Sequence, residues 1–84
     1  MHAQHPHEIA IRLAAPADAD EVRRLALLDS SHAEDGEALV AEVDGRIQAA
    51  LPLAGGHVIA DPFEPTAELA SLLHLRARQL RSAA

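Results

Sequence analysis

Apolar and polar positions alternate along three stretches of this chain and recur at helical spacing along two others. Ile9, Ile11 and Leu13 alternate with Ala10 and Arg12, the period-two pattern of a half-buried strand. Ala15-Pro16-Ala17 interrupts it, and Asp18 follows as an N-cap with Glu21 three residues on, the spacing of a capping box. Asp20 and Glu21 suit the positive end of a helix dipole, and Val22, Leu25 and Leu28 give that helix an apolar face to about Asp29. A polar loop is expected from Ser30 to Gly36. Leu39, Ala41 and Val43 then alternate with Glu42 and Asp44, and Ile47, Ala49, Leu51 and Leu53 alternate again beyond Gly45. Asp44-Gly45 between two such runs predicts a type I′ hairpin, because both central residues of that turn need positive φ.

Ala54-Gly55-Gly56 predicts a second tight connection, leading to a short strand at 57–60. Pro62 and Pro65 lack N–H donors and exclude regular structure from 61–65. Thr66 then caps a helix to about Arg81, with Leu69, Leu72, Leu73, Ala77 and Leu80 on one stripe at 100° per residue. The predicted fold is α+β, in the order β-α-β-β-β-α: an antiparallel sheet of four strands covered by two helices. Residues 8–82 form one domain, and 1–7, with three His and a Pro, form a flexible lead-in.

Composition thins the expected core. An 84-residue chain with Phe63 as its one aromatic buries much of its apolar surface as Ala, which contributes far less than the roughly 1.5–3 kcal/mol of a Leu or Val. Self-association, or a partner protein, is therefore expected. There is no Cys to form disulfides or thiolate metal sites. No apolar run reaches the roughly 18–20 residues of a membrane span, and the N-terminus lacks the basic and apolar regions of a signal peptide. A cytoplasmic location is the expectation. A net charge of −6 argues against nucleic acid, and the long helix has no Trp, Phe or Lys for a membrane surface. Nine acids lie between Asp18 and Asp44 against Arg23 and Arg24. All seven basic residues are Arg, which with the Ala excess points to a bacterial-type genome rich in G and C.

Ile11-Arg12-Leu13-Ala14, Pro16, Asp18-Ala19, Val22 and Leu25, followed by Leu39-Val40-Ala41-Glu42-Val43-Asp44-Gly45-Arg46-Ile47-Gln48-Ala49-Ala50, resemble the N-terminal half of the GNAT acetyltransferases over roughly residues 9–60. The resemblance implies a first strand beside the second in one four-stranded sheet. It also implies a place for acetyl-CoA, whose pyrophosphate that family holds on a Gln/Arg-x-x-Gly-x-Gly/Ala loop at a helix N-terminus. Here the corresponding stretch is Asp61-Pro62-Phe63-Glu64-Pro65-Thr66, with no Gly, two positions without N–H, and two carboxylates. Bound phosphate needs free amides and no competing charge, and a like-charge pair at ~4 Å costs roughly 1 to 4 kcal/mol. The family's C-terminal strands, which often carry its general acid, would follow the long helix beyond Ala84. No catalytic, cofactor-binding or metal residue is therefore assigned. The expected function is a non-catalytic, GNAT-like interaction module that self-associates; the alternative is a minimal acyltransferase using acetyl-CoA and completed by dimerisation.

Three constellations remain. His2, His5 and His7 read as a solvated tail rather than ligands, lacking a companion cluster. Ser30, Ser31, His32 and Asp35 contain the letters of a hydrolase triad but no Gly-x-Ser-x-Gly, and read as a polar loop. Arg76 falls inside the apolar stripe of the long helix. Either its stem covers apolar surface while the guanidinium reaches water, or it forms a buried or interfacial ion pair with Asp61 or Asp29. Leu75, about 60° off the stripe, widens the apolar face toward a partner helix.

Overall fold

The structure, a computed structural model, describes residues 8–31 and 36–83. Strand β1 spans Ile9–Leu13, a single 3-10 turn spans Pro16–Asp18, and helix α1 spans Ala19–Leu28. Strands β2 (Ala38–Val43), β3 (Arg46–Pro52) and β4 (Ile59–Ala60) follow, then helix α2 (Ala67–Ser82). The strands form one antiparallel sheet in the order β1-β2-β3-β4, so the α+β reading holds. Asp44 (φ 52) and Gly45 (φ 85) both take positive φ in the β2–β3 turn, as the Asp-Gly pair requires. Asp44 also fastens the start of β1: its N–H donates to the Glu8 carbonyl at 2.9 Å, and its Oδ1 accepts the Glu8 N–H at 3.0 Å.

The two helices cover opposite faces of the sheet. Leu39, Ala41, Ala49 and Leu51 are buried against Leu69, Leu73 and Ala77 of α2. Val40, Ile47, Ala50 and Ile59 are buried against Leu25 and Ala26 of α1. The middle of the sheet is thus apolar on both sides, and alternation gives way there to a continuous buried run.

The expectation that Ile47 shares a face with Ala49 and Leu51 is corrected. Ala41 pairs with Ala49, but Glu42 pairs with Ile47, so Gln48 is an extra residue on β3 and the strand bulges. One inserted residue reverses every side chain beyond it, which turns Ile47 onto the α1 face. β4 is shorter than 57–60, and Thr66 occupies the α2 N-cap position without a side-chain capping bond.

Candidate functional site

The backbone of the stretch leading into α2 is engaged in bonds of its own. Asp61 N–H donates to the Gln48 carbonyl at 3.1 Å, and Glu64 N–H donates to the Asp61 carbonyl at 3.3 Å. The Asp61 carboxylate accepts the Phe63 N–H at 2.8 Å, closing a local turn. Pro62 and Pro65 have no N–H, so of residues 61–66 Thr66 alone keeps an amide without such a partner. Beside it lies an open groove of about 710 Å³, with Ile9, Val43 and Leu69 as apolar walls and Asp44, Glu64 and Glu68 set against Arg46. An apolar floor with an acidic rim suits a side chain or a helix flank better than a diphosphate.

On the opposite face the sequence reading assigned Asp18 and Glu21 to one capping box, and this is corrected. Asp18 occupies the N-cap position of α1, as expected, but neither its side chain nor that of Glu21 makes the capping bond. Asp18 accepts two bonds from the Arg12 guanidinium, at 2.7 and 3.1 Å, and the Ala15 N–H at 2.6 Å. Arg12 Nε donates to Glu42 at 2.7 Å, and Arg12 Nη1 also reaches the Leu13 carbonyl at 3.2 Å. Arg12 thereby joins β1, β2 and the entry to α1 through its planar fork. Hydrogen bonding from Arg12 first, and from the Ala15 amide second, holds the Asp18 carboxyl down at about 2. Hydrogen bonds to Asp18 and then Glu42 raise the Arg12 guanidinium above its already high value. Glu21 instead accepts the Ile47 N–H at 2.9 Å, tying α1 to the β3 bulge. The sequence signal for this network was Arg12, a charge within a strand of otherwise apolar residues.

The structure gathers Asp29, Ser30, Ser31 and His57 around an open hollow of about 320 Å³ between the end of α1 and the β3–β4 connection. The hollow lacks the contact that nucleophilic catalysis needs. Ser31 Oγ donates to Asp29 Oδ2 at 3.0 Å, and no hydrogen bond joins His57 to either serine among the described residues. Ser30 has φ 58, the conformation of a strained nucleophile turn, but its cause is local. Ser31 N–H donates to the Ala26 carbonyl and Ser30 N–H to that of Leu27, the two bonds of a Schellman cap with Ser30 at the left-handed position. His32 and Asp35 lie outside the described residues.

Arg76, Asp61 and Asp29 are not brought together. Arg76 is exposed and donates to Gln79 Oε1 at 3.2 Å within α2. Asp61 and Asp29 serve the local bonds above, and Asp29 ends the helix on the other face of the sheet from α2. Leu69, Leu73 and Ala77 fix the buried centre of the helix, which leaves Arg76 on its flank. Among the described residues no three His, Asp or Glu side chains gather as metal ligands, and no helix is long and apolar enough to cross a membrane. His2, His5 and His7 lie outside the described residues. Comparison of the chain with protein-family models, with curated proteins and with solved structures found no match.

Proposed function

We propose that this chain is a non-catalytic, GNAT-like interaction module whose partner is a second copy of itself. The kinship rests on the residue pattern of 9–60. The non-catalytic character rests on one observation above all: the backbone of 61–66 satisfies its own donors, and carboxylates flank the one amide it leaves over. A diphosphate bound there would have to break those bonds or use only the amides of the first turn of α2, where it would meet Glu64 and Glu68.

Self-association is supported by the balance of covered and uncovered apolar surface. Of the thirteen buried hydrophobic residues among those described five are Ala, whereas Ile9, Leu13, Leu27, Leu28, Phe63 and Leu75 are exposed. The larger side chains left outside offer more burial to a second copy than the alanines supply within one. Two measurements test the proposal. Titration calorimetry with acetyl-CoA is expected to give no heat, and micromolar binding would restore the acyltransferase reading. Light scattering over a concentration series is expected to reach twice the 8.9 kDa chain mass, and a monomer throughout would refute self-association.

A further inference from the structure

We infer that the second copy docks along the free edge of β1, two chains pairing antiparallel about Ile11 into one eight-stranded sheet. The inference rests on the self-association reading and names its surface. β1 is one edge of the sheet and β4 the other. β4 is two residues long and runs into Asp61 and Pro62, so it offers almost no ladder. β1 offers five residues.

The direction of its backbone groups follows from the β1–β2 pairing. Asp44 N–H donates to the Glu8 carbonyl, and Ala14 N–H donates to the Ala38 carbonyl. Residues 8 and 14 therefore point their polar groups at β2, and by alternation so do Ala10 and Arg12, opposite Glu42 and Val40. Ile9, Ile11 and Leu13 point theirs outward. Arg12 already reaches the Leu13 carbonyl, but the remaining groups of these three residues face no strand among the described residues.

The same three residues carry their side chains on the α2 face, where Ile9 and Leu13 are 41% and 48% exposed. A second strand bonding to these outward groups must set odd residues opposite odd ones. Centring on Ile11 gives the longest overlap, with Ile11 opposite its own copy and Ile9 opposite the second copy's Leu13. The α2 side of the seam is then an unbroken Ile/Leu ladder, which is self-complementary under a two-fold axis. On the other side Ala10 meets the second copy's Arg12, whose charge Asp18 and Glu42 already neutralise.

The flank of α2 beside this row adds apolar side chains among the polar Glu68, Arg76 and Gln79. Glu68, Leu72 and Leu75 recur at i, i+4 and i+7, and Glu68 lines the groove that ends at Ile9, so this flank looks toward β1. Leu72 is half-buried and Leu75 is 43% exposed, extending the apolar border beyond the strand itself.

Amide hydrogen exchange on the full chain, read above and below the midpoint of association found by light scattering, tests the register. Ile9, Ile11 and Leu13 amides should slow on the order of tenfold or more on association, while Ala10 and Arg12 stay protected at both concentrations. Leu13→Lys, at an exposed site and with unchanged circular dichroism, should be monomeric. Leu27→Lys, on the exposed side of α1, should dimerise like the wild type. A dimer whose odd-numbered amides exchange freely, or which survives Leu13→Lys, or which Leu27→Lys abolishes, overturns this inference and leaves self-association standing. A wild-type chain that stays monomeric overturns both.

Discussion

The two faces of the sheet are held by different physics. On the α2 face a sixteen-residue helix lies on Leu39, Ala41, Ala49 and Leu51 through Leu69, Leu73 and Ala77. The side-chain hydrogen bonds of α2 among the described residues stay within the helix, from Ser71 to the Ala67 carbonyl and from Arg76 to Gln79. On the α1 face a ten-residue helix buries only Leu25 and Ala26, and polar ties supplement it: Glu21 to the Ile47 amide, and Arg12 to Asp18 and Glu42. Apolar burial is non-directional and grows with area, whereas a bidentate ion pair fixes one geometry. A long helix can dock on area alone. A short one, with two buried residues, needs pins to set its position.

The largest expected effect therefore lies on the α2 face. Leu73 is wholly buried at the centre of its cluster. Leu73→Ala should lower the unfolding free energy by about 2–5 kcal/mol. A chain of this length has only about 4–12 kcal/mol in total. Denaturant titration checks it, and the loss should be the same at pH 7 and pH 3, because no polar or charged residue is buried among the described residues. A loss under about 1 kcal/mol would mean that α2 docks through something other than this apolar seam.

The pinned face should respond to acid instead. The Asp18 carboxyl falls from an ordinary 3.8 to about 2 in the folded chain. A carboxyl lowered by folding contributes its stability above the unfolded value and loses it as pH falls through the folded one. The Arg12–Asp18 contribution is thus complete above about pH 4 and lost toward pH 2. With the Arg12 side chain 37% exposed, screening leaves about 1 kcal/mol of it. Asp18→Asn should therefore destabilise by about 1 kcal/mol at pH 7, and the gap from the wild type should close by pH 2. A gap equal at both pH values would show that the carboxylate acts by shape rather than by charge.

The difference between the faces also explains what was legible in the sequence. The Asp44-Gly45 turn was readable because its cause is the backbone of two adjacent residues. The order of elements followed from periodicity, and the fold class with it. Ile47-Gln48-Ala49 reads as perfect alternation, and nothing local to it discloses the bulge. Asp18 and Glu21 carry the letters of a capping box, but their partners Arg12 and Ile47 lie six and twenty-six residues away, so only the tertiary fold assigns them. Angle places Arg76 within the stripe, yet angle alone does not say where the sheet beneath a helix ends. Asp61 stands out in the sequence for its charge, while its contribution is a local bond to the Phe63 amide, which follows from Asp standing two residues before a free N–H.

The smallest expected effect concerns the cap that ends the pinned helix. Ser30 holds φ 58 so that its own N–H and that of Ser31 can reach the Leu27 and Ala26 carbonyls. A Cβ in the left-handed region costs energy that Gly avoids, which is why Gly is preferred at this position of a Schellman cap. Ser30 is exposed and its hydroxyl has no bonding partner among the described residues, so removing the side chain breaks no contact. Ser30→Gly should therefore stabilise the chain, by about 0.5–1 kcal/mol, against the usual trend for a substitution to Gly. Because α1 is short, the gain should appear as slower exchange of the amides in its last turn as well as a higher denaturation midpoint. A destabilised Ser30→Gly would mean that the serine side chain itself supports the hollow beside His57, and that the left-handed turn there is more than a helix stop.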